Sequence, residues 1–144
     1  MVPHKKSGNE ETFLPDFALY NSDISSEVRF ELMTIEVKAM KPSDNKYESD
    51  LVRLGKQLQV MIDKQALFGV ADPMAVEVLV RGVWSKFYKM KLDGKGIYAL
   101  VELSTFHLMR TPSDITLVPG IIERFMQLKA NNHRYGRTAC LCLF

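Results

Sequence analysis

A chain of 144 residues, 47% hydrophobic and 25% charged, has enough apolar material for one globular core and shows no sign of a second domain. Its formal net charge of +2 is too small to indicate a nucleic-acid partner on its own. No apolar run is long enough to span a bilayer and no secretory leader is visible, so we expect an intracellular protein, cytoplasmic or nuclear, without membrane contact.

The start of the chain is polar, mixed in charge and without periodicity. We therefore predict a flexible lead at residues 1–13, a folded domain at residues 14–130 and a tail at residues 131–144.

Two apolar, strand-like segments near the start carry acidic residues. The first contains Pro15-Asp16, and the second runs from Arg29 to Glu36-Val37-Lys38. Because side chains alternate along a strand, Glu36 and Lys38 should emerge on one face. A carboxylate and an ammonium on an apolar strand carry a desolvation cost unless they are paired, metal-bound or at the rim. With Asp16 on a neighbouring strand, two carboxylates could hold Mg²⁺ while Lys38 orients or deprotonates an attacking water.

A helix of about twenty residues is predicted after Pro42-Ser43-Asp44, where the second strand stops. Three polar side chains on this helix are candidates for phosphate contact, namely Arg53, Lys56 and Gln57. An ordinary solvated helix face is the favoured alternative. A mostly apolar stripe recurs at steps of four and three: Tyr47, Leu51, Leu54, Leu58, Met61 and Gln65.

Three further apolar runs occupy residues 75–81, 84–92 and 97–103, and the last two flank a glycine-containing connection typical of a hairpin. In the first run, Val76, Val78 and Val80 fall on one face of a strand and Leu79 on the other, which predicts a well-buried strand.

The aromatic residues of the second run allow two interpretations. Trp84, with Phe87 and Tyr88, could stack on exposed bases, but core or cross-strand packing is favoured. His107 is interpreted as a structural histidine because no matched ligand lies near it in sequence.

The end of the chain predicts a final amphipathic helix, marked by the spacing of Ile121, Phe125 and Leu128. In the tail, Cys140 and Cys142 are interpreted as ordinary apolar residues, since such a pair neither favours a disulfide nor completes a zinc site.

Taken in order, these segments predict one α/β domain with a mixed sheet of about five strands flanked by helices. The predicted order is strand, strand, helix, strand, hairpin, helix.

The two acidic segments resemble the signature of the PD-(D/E)XK nuclease superfamily, a Pro-Asp followed after a variable spacer by an acid-any-Lys triplet on the adjacent strand. Pro15-Asp16 and Glu36-Val37-Lys38 fit that signature. The resemblance implies a restriction-endonuclease-like core, with Asp16, Glu36 and the Val37 carbonyl as ligands of Mg²⁺ or Mn²⁺ and Lys38 as the water-positioning base. It also implies a nucleic-acid substrate, DNA rather than RNA, and places the helix after the lysine strand beside the site.

Residues 45–128 are also similar to uncharacterised proteins of early-diverging fungi, which are thought to carry a degenerate or remodelled nuclease domain. Family members usually have a helix and a strand before the Pro-Asp segment, so we expect a truncated or decayed copy here. The alternative is a catalytically inactive nuclease-fold module that binds a partner, with Glu36 and Lys38 as a rim ion pair. Domains of this kind often act as dimers, and the sequence leaves the oligomeric state open.

Overall fold

The computed structural model describes residues 15–20, 29–38, 45–94 and 96–133. The predicted lead, both cysteines and most of the predicted tail lie outside these residues. In chain order the elements are β1 (Phe17–Tyr20), β2 (Glu31–Lys38), α1 (Asn45–Leu67), β3 (Met74–Arg81), β4 (Trp84–Asp93), β5 (Ile97–His107), a 3₁₀ turn (Pro112–Leu117) and α2 (Val118–His133).

The strands form one mixed sheet in the order β1-β2-β3-β4-β5. Strands β2 and β3 are parallel, and the other neighbouring pairs are antiparallel. Helix α1 is the crossover that a parallel pair requires, and β4 and β5 form a hairpin. The predicted α/β fold with a five-stranded mixed sheet flanked by helices is therefore confirmed.

One face of the sheet packs against α1. The apolar stripe predicted for this helix supplies Leu54, Leu58 and Met61, which are all buried. These side chains meet the side chains of β3 and β4 that point to the same face: Ala75, Leu79, Tyr88 and Met90.

The opposite face packs against α2. Val76, Val78 and Val80 lie there with the rings of Phe87 and Phe106, as the alternation in β3 predicted. Phe125 of α2 meets Phe87 edge to face, with ring centroids 5.0 Å apart. Helix α2 ends at His133, inside the segment 131–144 that the sequence predicted as a tail.

Gln65 fixes the end of α1 against two strands. Its Nε2 donates to the backbone oxygens of Met74, at 2.8 Å, and Glu31, at 3.1 Å, and its Oε1 accepts from the Met74 amide at 3.0 Å. The one polar member of the helix stripe is thus buried with its amide satisfied by the backbone. This contact sets how α1 lies over β2 and β3.

Neither α1 nor α2, the two α-helices in the described part of the chain, combines the length and the apolar character needed to cross a membrane.

Candidate active site

The two acidic segments selected from the sequence are neighbours in the sheet. Phe17 pairs with Ile35 in the antiparallel β1–β2 ladder, so Asp16 precedes β1 beside the end of β2. Its Oδ2 accepts a hydrogen bond of 2.6 Å from the backbone amide of Val37. Asp16 therefore reaches the middle residue of the Glu36-Val37-Lys38 triplet.

Glu36 and Lys38 lie on the same face of β2, the face that α1 covers. The Lys38 Nζ and the Glu36 Oε1 form an ion pair. Glu36 is buried, at 7% exposure, whereas Val37 points to the other face and is half exposed. The desolvation cost of a carboxylate at this position is thus met by pairing with the lysine.

A second buried acid, Glu77, stands one strand away on β3. It is the parallel-register partner of Thr34, two residues before Glu36 on β2, and it is 1% exposed. Burial first, and then the negative charge of Glu36, raise the pKa of Glu77 from the usual 4.5 to about 8, against the opposing effects of Thr34, Lys38 and Arg53. Near neutral pH this carboxyl is therefore mostly protonated.

One oxygen of Glu77 has no hydrogen-bond partner. Its Oε2 is fully enclosed and unpaired within the described residues, and so is the Nε2 of Gln57 on α1. Both residues are at least nine-tenths buried. Unpaired buried polar atoms cost stability, so two of them at one place favour a functional role for that place over a purely structural one.

A small cavity connects these groups. Its volume is about 10 Å³, roughly that of one water-sized sphere. The sheet contributes charged groups of both signs to its wall, and α1 contributes further polar groups. The lining residues are Glu36, Lys38, Glu77 and Leu79 from the sheet, and Asp50, Arg53, Leu54 and Gln57 from the helix.

The three helix residues proposed for phosphate contact have different surroundings. Arg53 and Gln57 line the cavity, whereas Lys56 is exposed and does not. The expectation of a solvated helix face is wrong for Gln57, which is 5% exposed. Asp50, about two turns before Gln57 on the same helix, pairs with Arg81 of β3 at 2.5 Å.

Sequence reasoning did not select Glu77, although a signal was present. The strand Met74–Arg81 is otherwise almost wholly apolar, with one acid in its middle. A lone carboxyl in a strand buried on both faces has to be neutralised or paired, and it is therefore a candidate for function. Its position next to Glu36 could not be read from the sequence, because it depends on the register of the parallel pair.

The donor chemistry of the site is suited to a small hard cation. Asp16 and Glu36 offer carboxylate oxygens, which Mg²⁺ and Mn²⁺ prefer, and the unpaired Oε2 of Glu77 would add a third such oxygen only when Glu77 is ionised. However, in the part of the chain that the structure describes, no group of three or more His, Cys, Asp or Glu side chains is arranged to hold a metal ion.

No known family model, curated protein or solved structure matches the chain. The resemblance to PD-(D/E)XK nucleases therefore rests on the Pro-Asp and acid-any-Lys segments.

Proposed function

We propose that this protein hydrolyses phosphodiester bonds of nucleic acid, DNA in preference to RNA, at a PD-(D/E)XK-type site with Mg²⁺ or Mn²⁺ as cofactor. The observation that carries the proposal is the hydrogen bond from the Val37 amide to Asp16. It joins the Pro-Asp segment to the strand end at which Glu36 and Lys38 share a face. The hydrogen bond brings Asp16 to the backbone of the triplet that carries Glu36 and Lys38, and two acids with a lysine are the residue types that metal-assisted phosphodiester cleavage uses.

The resemblance to PD-(D/E)XK nucleases implies a role for each residue. The carboxylates of Asp16 and Glu36, with the carbonyl of Val37, would hold the cation. When bound, Mg²⁺ supplies a lowered pKa for its water and neutralises charge that develops on the phosphate. Lys38 would orient the attacking water or take its proton, and its ammonium form would stabilise the negative charge of the transition state.

Glu77 belongs to the proposed site as a neighbouring acid. Its carboxyl lies close enough to Glu36 for the negative charge of Glu36 to raise its pKa. A protonated carboxyl can donate a hydrogen bond, and an ionised one can accept a hydrogen bond from a ligand. Glu77 can therefore change its protonation state with the charge of the group that binds beside it. Arg53, which lines the same cavity, adds a positive charge on the helix side.

The test is metal-dependent cleavage of supercoiled plasmid and of single-stranded DNA by the purified chain. We expect cutting with Mg²⁺ or Mn²⁺ that is lost in EDTA and in the Asp16→Ala and Glu36→Ala variants. Glu123→Ala is the matched control, because it removes an exposed carboxylate of α2. Circular dichroism of each variant excludes unfolding as the cause. A folded wild-type protein that cuts neither substrate would contradict the proposal.

A second candidate is a catalytically inactive module that kept the nuclease fold and binds nucleic acid or another partner. The ion pair between Glu36 and Lys38 favours it, because the pair satisfies both charges without any cation. The absence of a three-ligand group from the described residues also favours it. Binding of DNA that depends on neither Mg²⁺ nor Glu36, without cleavage, would identify this module.

A further inference from the structure

Four side chains form a row across the end of the sheet. Lys38 is the register partner of Arg81, Arg81 of Trp84, and Trp84 of His107. Cross-strand partners point to the same face, so all four side chains lie on the face that carries Glu36. We call these four residues the basic-aromatic row.

Trp84 is exposed where its neighbours along β4 are not. It is 48% exposed, whereas Phe87 and Tyr88 of the same strand are 1% and 4% exposed. The favoured interpretation of the sequence holds, because Phe87 and Tyr88 are core residues and Trp84 forms a cross-strand pair with His107. Trp84 nevertheless presents about half of its surface to solvent.

The ring of Trp84 is held in position by His107. The two ring centroids are 3.8 Å apart with an interplanar angle of 59°, and His107 is itself exposed. A supported, solvent-facing aromatic ring is what proteins use to stack on an unpaired base.

Two cations continue the row toward the candidate active site. The side chains of Arg81 and Lys38 are 25% and 28% exposed, so both reach solvent while Asp50 and Glu36 hold them in place. An arginine fixed by a carboxylate is well suited to a phosphate, because its planar fork has several donors. Two strand spacings, about 10 Å, separate the strand of Trp84 from the strand of Lys38.

We propose that the basic-aromatic row binds single-stranded DNA, with a base stacked on Trp84 and the adjoining phosphates on Arg81 and Lys38. The DNA strand would then run toward Glu36, and single-stranded DNA would be the substrate of the nuclease proposed above. The catalytic importance of the row therefore rests on that proposed function. A base in a duplex has both faces covered by its neighbours, and only an unpaired strand offers a face to Trp84.

Trp84 is the only tryptophan of the chain, so its fluorescence reports on this row alone. The wild-type protein is titrated with oligodeoxythymidylate in EDTA at low salt, where no cleavage occurs. We expect saturable quenching that weakens as salt is added. Duplex DNA of the same length should quench much less. Unchanged emission, equal quenching by duplex, or tighter binding of oligouridylate than of oligodeoxythymidylate would each overturn the proposal.

Variants test the same claim through the anisotropy of a labelled oligonucleotide. Trp84→Ala should weaken binding roughly 5- to 150-fold, the range expected for the loss of one stacked base, and Trp84→Phe should recover most of it. Phe68→Ala is the matched control, because it removes another exposed aromatic, at 47% exposure, beyond the end of α1. Wild-type affinity in a folded Trp84→Ala variant would overturn the proposal.

The failures of the two proposals can be told apart. DNA binding that depends on Trp84, without metal-dependent cutting, would support the proposed role of the basic-aromatic row and contradict the proposed nuclease activity. Cutting that Glu36→Ala abolishes, combined with DNA binding that is unchanged in Trp84→Ala, would support the nuclease and overturn the proposed role of the basic-aromatic row.

Discussion

Glu36 and Glu77 lie on neighbouring parallel strands and line the same small cavity beside α1. Glu36 has Lys38 as a partner, whereas one oxygen of Glu77 has none among the described residues. Burial and the negative charge of Glu36 raise the pKa of Glu77 to about 8, so the carboxyl of Glu77 is mostly protonated near neutral pH.

The raised pKa of Glu77 predicts that the fold loses stability as pH rises. The folded-state pKa of about 8 exceeds the usual 4.5, so the group gives no pH dependence below pH 4.5. Between pH 4.5 and about 8 the unfolded chain releases this proton while the folded chain keeps it, and the free energy of unfolding therefore falls as pH rises. We expect Glu77→Gln to remove this pH dependence of the free energy of unfolding, whose slope approaches about 1.4 kcal/mol per pH unit. The measurement is the free energy of unfolding in urea at several pH values.

The quantity compared in that experiment is the difference in the free energy of unfolding between wild type and variant, because the contributions of other titrating groups cancel in it. Glu77→Gln should be more stable than wild type at pH 9, with the advantage shrinking toward pH 4. Glu123→Gln, at an exposed carboxylate of α2, should follow the wild-type curve. Parallel curves for wild type and Glu77→Gln would show that Glu77 does not titrate abnormally.

Removing the charge of Glu36 should change the behaviour of Glu77. The negative charge of Glu36 is the second largest cause of the raised pKa, after burial. In Glu36→Gln we therefore expect the pKa of Glu77 to fall, so that the loss of stability still begins near pH 4.5 but ends at a lower pH and is smaller in total. A double-variant cycle of Glu36→Gln with Glu77→Gln measures the coupling. Additive effects of the two substitutions at pH 9 would contradict an electrostatic interaction between the two carboxyl groups.

Gln65 is predicted to stabilise the packing of α1 on the sheet. Gln65→Ala removes three hydrogen bonds and leaves backbone groups of Glu31 and Met74 without their partner. We expect a loss of about 2 to 4 kcal/mol in the free energy of unfolding, since each buried polar group left unpaired is costly. Gln127→Ala, at an exposed position on α2, should change stability by less than about 0.5 kcal/mol. Equal stabilities of the two variants would be inconsistent with this role.

The parts of the fold that were predictable are those set by local periodicity. The spacing of Leu54, Leu58 and Met61 indicated the buried side of α1, and the alternation in β3 indicated a strand buried on both faces. The short glycine-containing link indicated the β4–β5 hairpin. Each of these patterns follows from burying one side of a helix or both faces of a strand, so the sequence contains it directly.

The parts that were missed depend on neighbours far away in the sequence. Gln57 lies between Leu54 and Met61 at helical steps of three and four, which in retrospect places it on the buried side, yet its polarity favoured a solvated position. The exposure of Trp84 depends on how far α1 covers the sheet, and the row that joins it to Lys38 depends on three strand registers. Register is a tertiary property, and residue spacing alone does not specify it.

The most direct test of the proposed nuclease is the rate of Mg²⁺-dependent cleavage of single-stranded DNA by wild type and by Lys38→Ala. Lys91→Ala is the control, because it removes an exposed lysine of β4 that pairs with Asp93. We predict metal-dependent cutting that falls by about a hundredfold or more in Lys38→Ala and stays near wild type in Lys91→Ala. Equal rates for the two variants, or no cutting by folded wild type, would contradict the assignment of the site.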